Sequence, residues 1–140
     1  MPVWIVYSLI ATLLAGVTAI FVKSSLRDIN TEMGLVIRIA IVFVVVLANL
    51  FMVKGHKVPI ELSSRTLFFL IISGITTGLC SIFYHKAMSL GNVSVISAID
   101  KGSIVITVML AVAFLGEPLS PKLAVGSVLI LTGMVVLIWK

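Results

Sequence analysis

The chain has 140 residues, of which 61% are hydrophobic and 11% charged, with a formal net charge of +5. Soluble domains carry about 25% charged residues, so this chain has too few to cover a water-facing surface, and we predict an integral membrane protein. The positive charges flank apolar runs, where Lys and Arg act as orientation and interface anchors, which argues against a nucleic-acid partner.

Five apolar runs of spanning length follow one another along the sequence. A helix that crosses about 30 Å of hydrocarbon needs roughly 20 residues. We predict transmembrane helices over residues 3–22, 33–53, 66–84, 93–115 and 123–139. Backbone groups in lipid must be bonded internally, and these lengths fit helices rather than barrel strands. The expected fold is therefore all-α, a single five-helix transmembrane domain over residues 1–140 that leaves only short loops.

Two loops contain typical helix-boundary residues. Gly91 and Asn92 are expected to end the third helix and to cap the fourth. Ser120 supplies a capping hydroxyl directly before Pro121, which favours the first position of a helix. These residues predict where the fourth and fifth helices begin.

The second and third helices carry polar residues inside their apolar runs. Arg38 lies about five residues from the start of the second run, roughly 7–8 Å deep at 1.5 Å per residue. At 100° per residue, the third helix has two stripes, one of Ser73, Thr77, Cys80 and Tyr84, the other of Gly74, Gly78, Ser81 and His85. Gly74 and Gly78 form a GxxxG that permits close helix approach. Helix packing alone explains any single hydroxyl here, and His85 can also serve as an interface anchor.

The fourth helix carries an acid and a base side by side, Asp100 and Lys101. An ionisable residue at the centre of a membrane helix costs roughly 2.5–3.5 kcal/mol on insertion scales, so it indicates a functional site. Asp100 shares a face with Ser103 and Thr107, whereas Lys101 points about 100° away. We therefore expect Asp100 and Lys101 not to pair with each other.

Arg38 is the expected partner of Asp100, because the two lie at similar depths; the alternative is that Arg38 snorkels to the interface. Polar stripes on consecutive helices favour a shared aqueous cavity. The candidate substrate and translocation residues are Asp100, Lys101, Arg38, Tyr84, Ser103, Thr107, Thr77, Ser73 and His85. The candidate helix-packing residues are Gly74, Gly78, Gly126 and Gly133.

The sequence lacks the common catalytic motifs H-E-x-x-H, G-x-S-x-G and the P-loop, so we do not expect an enzyme. His56 and His85 are predicted on opposite sides of the membrane, which makes a metal site within one chain improbable. No cofactor is expected.

The loop charges give no clear orientation. Five spans place the termini on opposite sides, and the loops of the N-terminal side hold Lys54, Lys57, Arg65 and Lys122. The other side holds Lys23, Arg27, Lys86 and Lys140. Orientation follows a difference in Lys and Arg between short loops, and here the counts are equal. Either an insertion partner sets the orientation, or copies insert both ways and pair antiparallel.

Two segments carry a family resemblance, one reading LLAGVTAIFVKSSL and the other reading YHKAMSLGNVSVISAIDKGSIVITVMLAVAFLGEPLSPKLAVGSVLILTGMVVL. They resemble the EamA-type repeat of the drug/metabolite transporter superfamily, whose members mostly carry two five-helix repeats in inverted topology. This chain is similar to the short single-repeat members. The resemblance implies a gradient-driven transporter of small metabolites or drug-like solutes, with the third and fourth helices lining the cavity. Many members have a tryptophan near Ala15 and a proline near Ile104; without that proline we expect a straighter fourth helix.

Because transporter sites form where inverted repeats meet, the sequence favours an antiparallel homodimer that works by alternating access in the plasma (inner) membrane. Its expected partners are a small solute, the lipid bilayer and a second copy of the chain. Two alternatives remain: a half-transporter that needs a different single-repeat chain, and a membrane scaffold subunit that transports nothing.

Overall fold

The computed structural model describes residues 2–53 and 63–139, and within these ranges the chain is helical and contains no strand. The helices are α1 (Val3–Ser25), α2 (Thr31–Met52), α3 (Ser64–Leu90), α4 (Val93–Lys101), α5 (Ser103–Leu110) and α6 (Pro121–Ile138). A π-helical segment over Ala111–Leu115 continues α5, so that α4, α5 and this segment form one span over Val93–Leu115. The predicted fold class of five apolar transmembrane helices is confirmed.

The helix boundaries agree with the prediction to different degrees. The fourth span has the predicted bounds, whereas α3 continues past residue 84 to Leu90. Ser120 caps α6 as predicted, its Oγ accepting a hydrogen bond from Leu123 N at 3.2 Å, with Pro121 at the first helical position. Asn92 takes the N-cap position of α4, but its side chain makes no capping hydrogen bond. The loop residues Lys54, His56 and Lys57 and the terminal Lys140 lie outside the described ranges.

The chain divides into two compact units, Met1–Leu90 and Gly91–Lys140. In the first unit, α1 and α2 both pack against α3. Its buried residues are Ala19, Val22, Leu35, His85 and Met88. All of them lie where α1 ends, α2 begins and α3 ends, so the packing of this unit is concentrated at one end of the three helices.

A lysine connects α1 to α3 at the packed end of the first unit. Lys23, in the last turn of α1, donates a hydrogen bond from Nζ to the Met88 carbonyl oxygen at 2.6 Å. Carbonyls in the last turn of a helix have no partner within the helix, and the helix dipole favours a cation there. The bond therefore satisfies a carbonyl of α3 and fixes the end of α1 beside it.

In the second unit, α4 and α5 pack against α6. Gly102 lies between α4 and α5, where the hydrogen bonds shorten to three residues: Gly102 N donates to Ile99 O at 2.9 Å, and Val105 N donates to Gly102 O at 3.2 Å. We expected a straighter fourth helix because it lacks the proline. Its α-helical hydrogen bonds are nevertheless interrupted at Gly102.

Gly102 is also the glycine that α6 approaches closely. A Cβ atom at this position would lie 2.5 Å from Met134 Sδ of α6 and 3.0 Å from the Ile99 carbonyl oxygen. At the four glycines predicted to pack helices together, Gly74, Gly78, Gly126 and Gly133, a Cβ would meet nothing within 4 Å. Within the described chain these four do not mediate close helix contacts, and their packing against another copy stays a prediction.

Replacing Gly102 by alanine should destabilise the protein, whereas the same change at Gly133 should not. Both substitutions raise helix propensity by roughly 1 kcal/mol, so Gly133→Ala, which meets open space, controls for that gain. At Gly102 the added methyl would meet the thioether of Met134, which can move, and also the backbone carbonyl oxygen of Ile99 at 3.0 Å, which cannot move without distorting the helix. Overpacking of this kind costs about 1–3 kcal/mol. Unfolding by sodium dodecyl sulfate in mixed micelles, followed by circular dichroism, measures the difference. Gly102→Ala combined with Met134→Ala should recover part of the loss; equal stability of the two single variants would contradict the packing role.

Candidate functional site

The first unit brings two of the predicted site residues together. Arg38 of α2 lies beside His85 of α3, with Arg38 Nη1 3.4 Å from His85 Nε2. His85 Nδ1 is 2.9 Å from the carbonyl oxygen of Ser81, one turn earlier in α3. The His85 side chain is only 2% exposed. Arg38, seven residues into α2, lies about 10 Å along the helix axis from the start of α2, so the pair is inside the span.

The partners of His85 specify its protonation. A carbonyl oxygen only accepts hydrogen bonds, so Nδ1 must carry the proton that it donates to Ser81. A guanidinium only donates, so Nε2 must present its lone pair to Arg38. These two contacts correspond to a neutral His85 in the Nδ1–H form, which is the form that we expect, with the guanidinium of Arg38 beside its Nε2.

Two cavities lie on either side of His85, both within the first unit. One has a volume of about 360 Å³ and is lined by α1 and α2, with Thr18, Phe21, Val22, Arg38 and Ile41 among its walls. The second has a volume of about 340 Å³ and is lined by α2 and α3, including Glu32, Leu35, Gly78 and Lys86. His85 contributes to both walls. The first cavity combines an apolar lining with one guanidinium, which is the composition of a site for an amphipathic molecule.

In the second unit, Asp100 and Lys101 form an ion pair, with Lys101 Nζ 3.2 Å from Asp100 Oδ2. The expectation that they would not pair was wrong. Neighbouring side chains diverge by about 100° around a helix, but the four-carbon stem of lysine is long enough to return to the carboxylate. Lys101 is 63% exposed and Asp100 38% exposed. The pairing of Asp100 with Arg38 stays a prediction, since the two residues belong to different units.

The remaining predicted residues make mostly local contacts. Thr77 Oγ1 donates to the Ser73 carbonyl at 2.8 Å, and Thr107 Oγ1 donates to the Ser103 carbonyl at 3.1 Å. The Tyr84 ring lies edge-on to the imidazole of His85, with centroids 6.1 Å apart. A hydroxyl bonded to its own helix retains lone pairs for a solute, so these contacts are compatible with either packing or a binding role.

Sequence reasoning missed the contribution of α1 to this region. Thr18 and Ser25 line the larger cavity, and Lys23 bonds the end of α3. The sequence signal that could have shown this is the pair of polar residues, Thr18 and Ser25, seven positions apart on one helical face.

In the described chain, no group of three or more His, Cys, Asp or Glu residues is arranged to hold a metal ion.

Five apolar helices long enough to span a membrane, three of them with ionisable residues inside the apolar run, define a multi-pass membrane protein. A family model described as the EamA-like transporter family matches residues 2–139, and the chain belongs to this family. It is also 31% identical over 134 residues to a protein of Sinorhizobium sp described as an uncharacterized transporter in the cobO 3' region, which covers 96% of this chain and 95% of that protein. No solved structure matches the chain.

The protonation of His85 can be measured directly. We expect nitrogen-15 NMR of histidine-labelled protein in micelles to show a neutral, Nδ1-protonated ring for His85, the opposite of the Nε2–H form that free histidine prefers. A His56→Gln variant removes the second histidine signal and assigns the remaining one. Arg38→Gln should change the nitrogen-15 chemical shift of His85 Nε2, because this nitrogen loses a charged hydrogen-bond donor. An Nε2-protonated ring in the unmodified protein would contradict the hydrogen bonds described above.

Proposed function

We propose that this protein is a secondary transporter that moves a small metabolite or drug-like solute across the plasma (inner) membrane by alternating access, as an antiparallel homodimer. The observation that carries the proposal is membership of the EamA-like transporter family over residues 2–139. The transporter description of the Sinorhizobium relative supports the same activity. A plasma membrane maintains the ion gradients that secondary transport needs.

One chain leaves most of its apolar helix surface uncovered, which favours a homodimer. Of the described residues, only six are less than 9% exposed: Ala19, Val22, Leu35, His85, Met88 and Ser127. Most of each span therefore faces lipid or another chain. Five spans per chain make antiparallel pairing equivalent to an inverted repeat, the arrangement in which transporters place their site. The equal Lys and Arg counts of the two sides allow both orientations.

The ion pair of α4 supports a role in translocation. Asp100 lies seven residues from the start of its span, about 10 Å along the axis, and remains partly exposed together with Lys101. Charged groups at such depth are costly unless they face water, a partner or a solute. We assign Asp100 as the ion-coupling group. With Arg38 and Lys101 ionised, each protomer contributes a net positive charge, which favours zwitterionic or anionic solutes.

Dual topology has a direct test. Reporter fusions after Lys140, one active only in the cytoplasm and one only outside it, should both be active, because copies insert in both orientations. Moving three lysines into the loops of one side should restrict activity to a single reporter. Activity of only one reporter with the unmodified chain would contradict the homodimer and favour a different single-repeat partner.

Asp100→Asn should abolish coupled transport while leaving the dimer intact, because the amide keeps the shape of the side chain but cannot exchange a proton or bind a cation strongly. Proteoliposomes with entrapped pH dye first identify a solute from small organic acids and amino acids that drives proton movement through the unmodified protein. Asp28→Asn, a carboxylate in the segment between α1 and α2, is the matched control and should transport normally. Unchanged proton-coupled flux in Asp100→Asn would refute the assignment, and crosslinking verifies the dimer.

A further inference from the structure

We propose that the larger of the two cavities described above, which is lined by α1 and α2 and includes Arg38 in its wall, binds an organic monoanion with an apolar tail. The anionic head would lie on the guanidinium of Arg38 and the tail along the apolar wall. The proposal depends on the proposed function only for the step that follows binding. The cavity itself is formed by residues of one unit of one protomer.

Arg38 carries a positive charge inside an apolar helix of spanning length. No carboxylate oxygen among the described residues of its unit lies within ion-pair distance of the guanidinium; the one ion pair seen in the described chain joins Asp100 and Lys101. The side-chain partner that Arg38 does have, His85, carries no negative charge in either protonation state. A cation within a membrane span is costly unless an anion or water compensates it. The cavity beside Arg38 is the space in which such an anion fits.

The guanidinium of Arg38 has hydrogen-bond donors beyond the one that contacts His85. A guanidinium carries five N–H donors in a planar fork that matches a carboxylate in bidentate geometry. The contact with His85 uses Nη1. The Nδ1 proton of His85 is donated to the Ser81 carbonyl, so this nitrogen is not available to an anion. The remaining donors can bind a head group of one negative charge.

The wall of the larger cavity is mostly apolar. Phe21, Val22, Ile37, Ile41 and Val42 form most of the wall, with the hydroxyls of Thr18 and Ser25 as its polar additions. The volume of about 360 Å³ is within the range of small-molecule sites, roughly 300–1,000 Å³. An inorganic anion would leave this wall uncovered, and an organic cation would meet Arg38 with like charge. An amphipathic monoanion satisfies both features.

The test compares three probes with the same eight-carbon chain: octanoate, octylammonium and octanol. Purified full-length protein is placed in phosphatidylcholine nanodiscs, and radiolabelled octanoate is measured by a scintillation proximity assay against empty discs. We expect saturable octanoate binding that unlabelled octanoate displaces and that octylammonium and octanol displace at least about tenfold less well, as expected for loss of a charge-assisted bidentate contact. Equal displacement by octylammonium would overturn the proposal without requiring any variant.

Variants then locate the site. Arg38→Gln should weaken octanoate binding at least about tenfold, while Arg38→Lys, which keeps the charge but loses the fork, should give an intermediate affinity. Arg65→Gln is the matched control, because Arg65 is at the start of α3, outside the cavity, and stacks over Phe69 at 5.9 Å. Val42→Trp, which fills the cavity and leaves Arg38 in place, should also weaken binding. Unchanged affinity in both Arg38→Gln and Val42→Trp would overturn the assignment.

The anion can come from a soluble solute or from a lipid head group, and the disc composition distinguishes them. If phosphatidylglycerol in the disc displaces octanoate in an Arg38-dependent manner, the site takes an anionic lipid; if it does not, the site takes a soluble amphiphile. Octanoate binding is measured at equilibrium and requires neither solute flux nor dimer formation. A failure to detect this binding would therefore leave the transporter proposal intact. Conversely, absence of transport or of dual topology leaves the binding result unaffected.

Discussion

His85 connects two helices of the first unit through its ring nitrogens. Its Nδ1 bonds back to Ser81 within α3, its Nε2 faces Arg38 of α2, and the residue lines two cavities. A polar side chain buried among apolar helices is stable only when each of its hydrogen-bonding atoms has a partner. Both ring nitrogens of His85 have a partner, so its burial is satisfied, whereas the positive charge of Arg38 still needs water or an anion. The other buried residues of the unit, including Met88 two residues before the end of α3, lie near the same level.

The spans themselves were predictable, because about 20 apolar residues in lipid permit little other than a helix. The start of α6 was predictable from Ser120 and Pro121 for equally local reasons. The end of α3 was not, because residues 85–90 include His85, Lys86 and Ser89 and no longer look apolar, although they continue the helix. Family membership was also predictable from the sequence and is confirmed.

Contacts between helices were harder to predict than the helices. Matching depths suggested Asp100 as the partner of Arg38, but depth is an axial coordinate and contains no information on how each helix is rotated. Within their own units, Arg38 lies beside His85 of α3 and Asp100 pairs with the adjacent Lys101, and depth alone indicated neither contact. The pairing of Arg38 with Asp100 stays a prediction. The same limit applies to predicting helix contacts from the spacing of glycines. Four with regular spacing have open space around them, whereas Gly102, which no spacing rule singled out, is the one that α6 approaches. Packing partners depend on the whole tertiary arrangement, and a helical wheel describes one helix at a time.

The one-sided packing of the first unit has a consequence for a pair of oppositely inserted copies. Among the described residues, the Lys23–Met88 hydrogen bond and the buried side chains near it tie α1, α2 and α3 together at one end of the unit. In the proposed pair, a two-fold axis in the membrane plane would place one tied end at each membrane surface. The states open to the two sides would then be exchanged by this axis and would have equal intrinsic free energies. Such a transporter would have no intrinsic preference for import or export. The direction of net solute movement would depend entirely on the concentration gradients and the electrical potential across the bilayer.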